Sequence, residues 1–84
     1  MPKKFLPTNF SYILNDIRTR KKITQYRVEK DIKISRENVN AIENMRVNPS
    51  LHTFINLMNY FGYDIEIVNR KKPDEKVTLK LIKD

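Results

Sequence analysis

Two segments of the chain carry hydrophobic residues at the spacing of an amphipathic helix. The first has the i, i+3, i+4, i+7 pattern at Phe10, Ile13, Leu14 and Ile17, which predicts a helix over about 9–21. The second follows Pro49 and Ser50, and Gly62 is expected to end it; its apolar residues are Leu51, Phe54, Ile55, Met58 and Phe61. Both stripes are predicted to face a hydrophobic core.

Between these helices, residues 24–43 have the pattern of two shorter amphipathic helices around a brief turn. Thr24 and Ser35 can cap their starts, because a hydroxyl accepts a hydrogen bond from an amide in the first turn. Five aliphatic residues can point into the angle between the two helices, namely Val28, Ile32, Ile34, Val39 and Ile42. This layout predicts a helix-turn-helix, which presents its second helix to the major groove of DNA.

The opposite face of that second helix is polar. It carries side chains able to bond to base edges or phosphates, namely Arg36, Glu37, Asn38, Asn40 and Asn44. The amides that follow Thr24 point toward an anion, and Gln25 is placed to reach a phosphate oxygen. A merely solvated face is the alternative, since helical bundles without ligands carry polar faces as well.

After residue 62 the pattern changes from helical spacing to alternation. Residues 64–68 and 77–82 are predicted to form a hairpin around a charged loop, 69–76. Pairing Ile67 with Leu79 sets Glu66 opposite Lys80 as a cross-strand charge pair.

One face of this hairpin is predicted to be apolar, with Ile65, Ile67, Leu79 and Leu81. We expect this face to mediate dimerisation, because a lone hairpin is marginal in water and its open edges invite pairing. Two copies around a two-fold axis could form a four-stranded sheet. The alternative is that the hairpin only covers the core of its own domain.

The charge of the chain favours a polyanionic partner. Its 84 residues carry a formal net charge of +7 and a pI near 9.8, as in many nucleic-acid-binding domains. Residues 1–23 hold six Lys or Arg against one Asp. Lys3 and Lys4 belong to a predicted flexible basic arm, residues 1–8.

Several classes of site are not supported by the sequence. There is no cysteine and one histidine, and there is no glycine-rich loop or carboxylate cluster at metal-binding spacing. We therefore expect no enzymatic activity, no cofactor and no metal site. No apolar run reaches membrane-spanning length and no secretory signal is evident, so we expect a cytoplasmic protein without membrane contact.

Residues 23–50 combine caps, core positions and a Pro-Ser helix start in one pattern. The sequence Ile-Thr-Gln-x-x-Val-x-x-x-Ile-x-Ile-Ser-x-x-x-Val-x-x-Ile-Glu-Asn-x-x-x-x-Pro-Ser resembles the Xre-type helix-turn-helix family of phage-repressor-like regulators. With its flanking helices the resemblance covers about residues 10–62. It implies a mainly α fold, a four-helix phage-repressor-like domain, here followed by a C-terminal β-hairpin instead of the family's common fifth helix.

The resemblance also implies sequence-specific binding to double-stranded DNA as a homodimer. At matching positions Arg36, Glu37 and Asn40 face bases, whereas Gln25, Asn44 and Arg46 hold phosphates. We also expect Asn38, on the polar face of the second helix, to face bases. Thr24, at the start of the first helix, is expected to hold a phosphate. By its hydrogen-bonding groups, Arg36 suits guanine and Glu37 suits cytosine. Asn40 or Asn38 suits adenine. Arg18 and Glu43 match a pair that often forms an internal salt bridge in this family.

Three positions depart from the family pattern. Glu29 replaces a small alanine where the two helices cross, so its carboxylate must reach solvent or the helices must splay. Lys33 replaces a turn glycine, where a positive φ costs a side-chain-bearing residue on the order of 1 kcal/mol. Met45 replaces the glycine that commonly ends the recognition helix, which favours Asn44 as the left-handed cap.

The predicted function is a transcriptional repressor that binds an inverted-repeat operator. Residues 9–62 are its predicted DNA-binding domain and residues 63–84 its dimerisation element. An antitoxin that regulates its own operon is an alternative and requires a toxin partner, whereas a repressor from a phage or mobile element needs only DNA. A protein-binding adaptor is a further alternative, which weak salt dependence of binding would indicate.

Overall fold

The computed structural model of the protein describes residues 6–82. Within this range four helices precede a two-stranded antiparallel hairpin. The elements are α1 (Phe10–Arg20), α2 (Gln25–Ile32), α3 (Arg36–Glu43), α4 (Leu51–Tyr60), β1 (Ile65–Asn69) and β2 (Lys72–Leu79). The predicted fold class, mainly α with a C-terminal β-hairpin, is confirmed. No helix among residues 6–82 is both long and apolar enough to cross a membrane.

The chain divides into two compact units, Met1–Pro49 and Ser50–Asp84. This division falls inside the predicted 9–62 domain, whose limits stay a prediction. Of the predicted arm at residues 1–8, only residues 6–8 are described, so Lys3 and Lys4 lie outside the described residues.

The first unit builds one hydrophobic core from three helices. α3 contacts both α1 and α2, and the buried apolar side chains are Phe10, Leu14, Ile17, Val28, Val39 and Ile42. Ile13 was predicted to join this core but is 40% exposed. The buried face of α1 is centred nearer Leu14 and Ser11, which leaves Ile13 at its edge.

In the second unit, the buried side chains of α4 and its cap are Ile55, Leu57, Met58 and Phe61. Leu51 was predicted to be core but is 61% exposed. It is the first helical residue, after the Ser50 cap, and lies at the end of the buried stripe. Leu57, which the sequence pattern missed, is fully buried.

Left-handed residues follow the helices, and three of them are not glycine. Their φ values are 58° at Lys22, 63° at Lys33, 60° at Met45 and 90° at Gly62. The positive φ anticipated for Lys33 is therefore present.

Asn44 was expected to be the left-handed cap of α3, and this prediction was wrong. Asn44 has a φ of −97°, and Met45 takes the left-handed conformation instead. The reason is the backbone: the Arg46 amide donates to the Ala41 carbonyl at 2.9 Å and the Met45 amide to the Ile42 carbonyl at 3.1 Å. These two bonds require the positive φ at residue 45, whichever side chain is there.

The hairpin is shifted by two residues from the predicted pairing. Ile67 pairs with Val77 instead of Leu79, and Glu66 lies opposite Thr78 instead of Lys80. Glu66 instead approaches Lys76 diagonally, with Nζ 3.6 Å from Oε1. The shared face consequently contains Ile65, Ile67, Val77 and Leu79, and Leu81 lies beyond the end of β2.

Most of the predicted loop 69–76 belongs to the strands. Asn69 starts the turn by accepting the Lys71 amide on its Oδ1 at 3.0 Å, and it pairs with Lys72. Val68 pairs with Lys76, so the register shifts and residues 73–75 bulge from β2. Pro73 fits there, since a residue without an amide hydrogen is tolerated at a bulge.

Replacing Lys33 by glycine is expected to stabilise the protein. Relief of a left-handed conformation is worth about 1–2 kcal/mol, and the more flexible unfolded chain offsets about 0.4–1 kcal/mol. The net gain of about 0.5–1 kcal/mol is measurable by urea denaturation. Lys30→Gly is the matched control, because Lys30 lies inside α2, where glycine costs about 0.5–1 kcal/mol. If the two variants change the free energy of unfolding in the same direction, this explanation is contradicted.

Candidate nucleic-acid interface

Hydroxyl caps define where α2 and α3 begin. Thr24 Oγ1 accepts from the Arg27 amide at 3.0 Å, and Ser35 Oγ accepts from the Asn38 amide at 3.1 Å. Both caps were predicted from the sequence, and both are confirmed. Because Ser35 sets the start of α3, Arg36 and the residues after it occupy its first turn.

Five of the residues expected to contact DNA line one open depression of about 350 Å³, namely Gln25, Arg36, Glu37, Asn40 and Arg46. Two guanidinium groups and one carboxylate thus share a small surface with two carboxamides. This mixture supplies donors and acceptors for base edges together with positive charge for phosphates.

The other three expected contact residues do not line this depression. Thr24 borders a second one, of about 580 Å³, together with basic residues of α2 and the preceding turn. Asn38 is half-buried. Asn44 donates from Nδ2 to the Asn40 side chain at 2.8 Å.

Tyr26 was missed by the sequence reasoning. Its ring lies under the guanidinium of Arg36, 5.8 Å from ring centroid to Cζ, and Tyr26 is 57% exposed. A cation over an aromatic face is attracted to the ring and restrained by it. An exposed aromatic residue directly after Gln25 was the available signal.

Asn40 is bonded to three neighbours within the protein. Its Nδ2 donates to Gln25 Oε1 at 3.3 Å, and its Oδ1 accepts from Asn44 Nδ2 at 2.8 Å and from Arg46 Nη2 at 3.3 Å. Reading adenine requires both a donor and an acceptor from the same carboxamide. To read adenine, Asn40 would have to give up several of these hydrogen bonds within the protein.

Glu43 lies behind this surface and joins α3 to α1 and α2. Arg18 donates to it twice, from Nε to Oε2 at 2.6 Å and from Nη2 to Oε1 at 2.8 Å. Asn15 Nδ2 and Gln25 Nε2 also donate to Oε1, at 3.0 and 3.2 Å. The side chains of Arg18 and Glu43 are only 13% and 5% exposed.

Together, the hydrogen bonds and the ion pair of Glu43 lower its pKa more than burial raises it. Burial raises the pKa of Glu43, but hydrogen bonds from Arg18, Asn15 and Gln25 and the charge of Arg18 hold the pKa below its ordinary value of 4.5. The hydrogen bond to Glu43 in turn raises the pKa of Arg18. Both groups are therefore charged at neutral pH.

Comparison with known proteins gives a match at the level of a family. A family model described as helix-turn-helix matches residues 14–68, which is more than half of the chain and includes every residue that lines the depression of about 350 Å³. No curated protein and no solved structure matches the chain. Within residues 6–82 no group of three or more His, Cys, Asp or Glu could hold a metal ion.

The stabilising effect of Glu43 is expected to disappear in acid. Because the folded-state pKa is depressed, the unfolded chain takes up the proton more readily, and the contribution present above pH 4.5 is lost as pH falls through the folded-state pKa. Glu43→Gln should cost about 3 kcal/mol at neutral pH, and this difference from the wild type should shrink as the pH falls below 4.5. Urea denaturation across pH measures it.

Glu37→Gln is the control, because Glu37 lies in the exposed first turn of the same helix. It should change the free energy of unfolding by less than about 1 kcal/mol. A difference between wild type and Glu43→Gln that stays constant down to acid pH would contradict the role of the buried carboxylate.

Proposed function

The chain belongs to the Xre-type helix-turn-helix family of DNA-binding transcriptional regulators, and we propose that it is a repressor that binds an inverted-repeat operator as a homodimer. The observation that carries this proposal is the depression of about 350 Å³ between the start of α2 and the recognition helix α3. Repression would follow from occupancy, because a protein bound across a promoter blocks access to it.

In this proposal α3 enters the major groove with its first turn toward the bases. Arg36 donates two hydrogen bonds to guanine, Glu37 accepts from cytosine, and Asn38 or Asn40 pairs with adenine. The support for Arg36 as the principal reader is its position in the first turn of α3, over the Tyr26 ring. A restrained guanidinium loses less freedom on binding.

Contacts to the DNA backbone would come from the flanks of α3. Thr24 and Gln25 lie at the start of α2, where amides favour a phosphate, and Asn44 and Arg46 lie at the end of α3. Phosphate contacts of this kind set the position of the protein on the duplex, and base contacts then select the sequence.

The hairpin is our proposed dimerisation element, with a second copy of the chain as the occupant of its apolar face. Ile67 and Val77 are paired on this face and are 55% and 63% exposed. They border a depression of about 510 Å³ that also contains Asp74, Glu75 and Lys76. Under a two-fold axis a surface with both charge signs can pair with itself. Binding of a dimer to two half-sites in successive major grooves requires the recognition helices to lie about one DNA turn apart, roughly 34 Å.

Arg36→Ala is expected to relax sequence discrimination. Loss of a bidentate guanine contact costs about 1–3 kcal/mol, so the ratio of operator to mixed-sequence affinity should fall about 5- to 150-fold. Competition gel-shift titrations measure this ratio. Arg20→Ala removes the same charge from a residue that pairs with Asp16 on α1, and it should leave the ratio unchanged. An unchanged ratio in Arg36→Ala would show that α3 is not placed as proposed.

Ile67→Glu is expected to convert the dimer to a monomer, because it sets a charge on the apolar face. Sedimentation equilibrium measures the association directly. Thr78→Lys is the matched control, since it sets a charge on the other face of the hairpin, opposite Glu66, where opposite charges do not repel. If Ile67→Glu and the wild type associate equally, the hairpin face is not the dimer interface.

A further inference from the structure

A group that can only accept hydrogen bonds lies at one end of the network that reaches the candidate interface. An ionised carboxylate has no hydrogen to donate, so Glu43 Oε1 requires the nitrogen of the Gln25 carboxamide, which lies 3.2 Å away. The Gln25 oxygen must then point in the other direction, where it accepts from Asn40 Nδ2 at 3.3 Å. The charge of Glu43 therefore decides which end of the Gln25 carboxamide meets Asn40.

The same restriction continues from Asn40 to the end of α3. Since its nitrogen is bonded to Gln25, Asn40 turns its oxygen toward two donors, Asn44 Nδ2 at 2.8 Å and Arg46 Nη2 at 3.3 Å. A reversed Asn40 carboxamide would present hydrogens to both donors and lose both bonds. The orientation of one carboxamide thus keeps the Arg46 guanidinium beside the depression that it lines with Arg36.

We propose that Glu43 and Gln25 are positioning residues for DNA binding, which orient the Asn40 carboxamide so that Asn40 holds Arg46 ready for a DNA phosphate. This role rests on the proposed function and deepens it. Of the two adenine readers proposed above it selects Asn38, and it replaces the phosphate contact proposed above for Gln25 by a link within the protein.

Holding Arg46 in place has a direct effect on affinity. A long side chain that is ordered only on binding costs about 0.5–1.5 kcal/mol, or about 2- to 12-fold in affinity. A side chain already held by Asn40 avoids much of that cost. Glu43 and Gln25 would therefore increase DNA affinity without touching DNA.

The test uses the full chain and a mixed-sequence DNA duplex, because phosphate contacts do not depend on sequence. Fluorescence anisotropy at several salt concentrations compares wild type, Gln25→Ala, Arg46→Ala and the double variant, each shown to be folded by its thermal unfolding. We expect Gln25→Ala to weaken binding about 2- to 12-fold. The double variant should bind no more weakly than Arg46→Ala alone, because both changes remove one contact.

Salt dependence shows whether Arg46 still contacts its phosphate in each variant. Arg46→Ala should reduce the slope of log affinity against log salt by about 1. Gln25→Ala changes no charge, and Arg46 can still reach the phosphate once it has paid the ordering cost, so the slope should stay at the wild-type value. If the effects of the two substitutions on affinity multiply, Gln25 contributes to binding without Arg46 and the inference is wrong.

Asn15→Ala is the matched control. Asn15 Nδ2 donates to the same Glu43 oxygen at 3.0 Å but has no bond to Asn40, so its loss should leave affinity and slope unchanged. A DNA-free readout is hydrogen exchange at the Asn40 side-chain amide by NMR, which should accelerate in Gln25→Ala and not in Asn15→Ala. Unchanged exchange in Gln25→Ala would overturn the inference, whereas wild-type protein that fails to bind DNA would overturn the proposed function instead.

Discussion

The buried ion pair between Arg18 and Glu43 connects the three helices of the first unit. Arg18 comes from α1, Glu43 ends α3, and the remaining guanidinium nitrogen of Arg18, Nη1, donates to the Ile23 carbonyl before α2 at 2.9 Å. A buried pair of charges is costly to desolvate and contributes little net stability unless its hydrogen bonds are satisfied. Here both carboxylate oxygens have donors, so the pair can specify how the helices meet.

The same pair connects the hydrophobic core with the surface that we propose for DNA. Glu43 is tied to α1, one of the core helices, through Arg18, and it reaches the proposed interface through Gln25 and Asn40. A change in the charge of Glu43 therefore alters both the free energy of unfolding and the geometry of the interface. To change the free energy of unfolding and DNA binding separately, one must substitute the uncharged neighbours of the Glu43 carboxylate, such as Asn15 and Gln25.

Features set by neighbouring residues were predictable from the sequence, and features set by the backbone or by orientation were not. The caps at Thr24 and Ser35 were predictable because a hydroxyl and an amide three residues apart suffice. The end of α3 was not, since backbone bonds impose a positive φ on Met45 against its side-chain preference. The alternation of the hairpin has a period of two, so pairing Ile67 with Val77 or with Leu79 keeps the apolar side chains together on one face, and only the turn selects between the two registers.

The candidate site shows the same division. The site residues on α3 could be placed on the polar face of that helix from spacing alone, but the orientation of the Asn40 carboxamide depends on Gln25 of α2 and, through Gln25, on the Glu43 carboxylate. Selection of bound duplexes from a random DNA library is the most direct test of dimeric, sequence-specific binding. We expect the selected duplexes to share an inverted repeat with half-site centres about one DNA turn apart. Bound duplexes without a common sequence, or with one isolated half-site, would contradict a dimeric sequence-specific repressor.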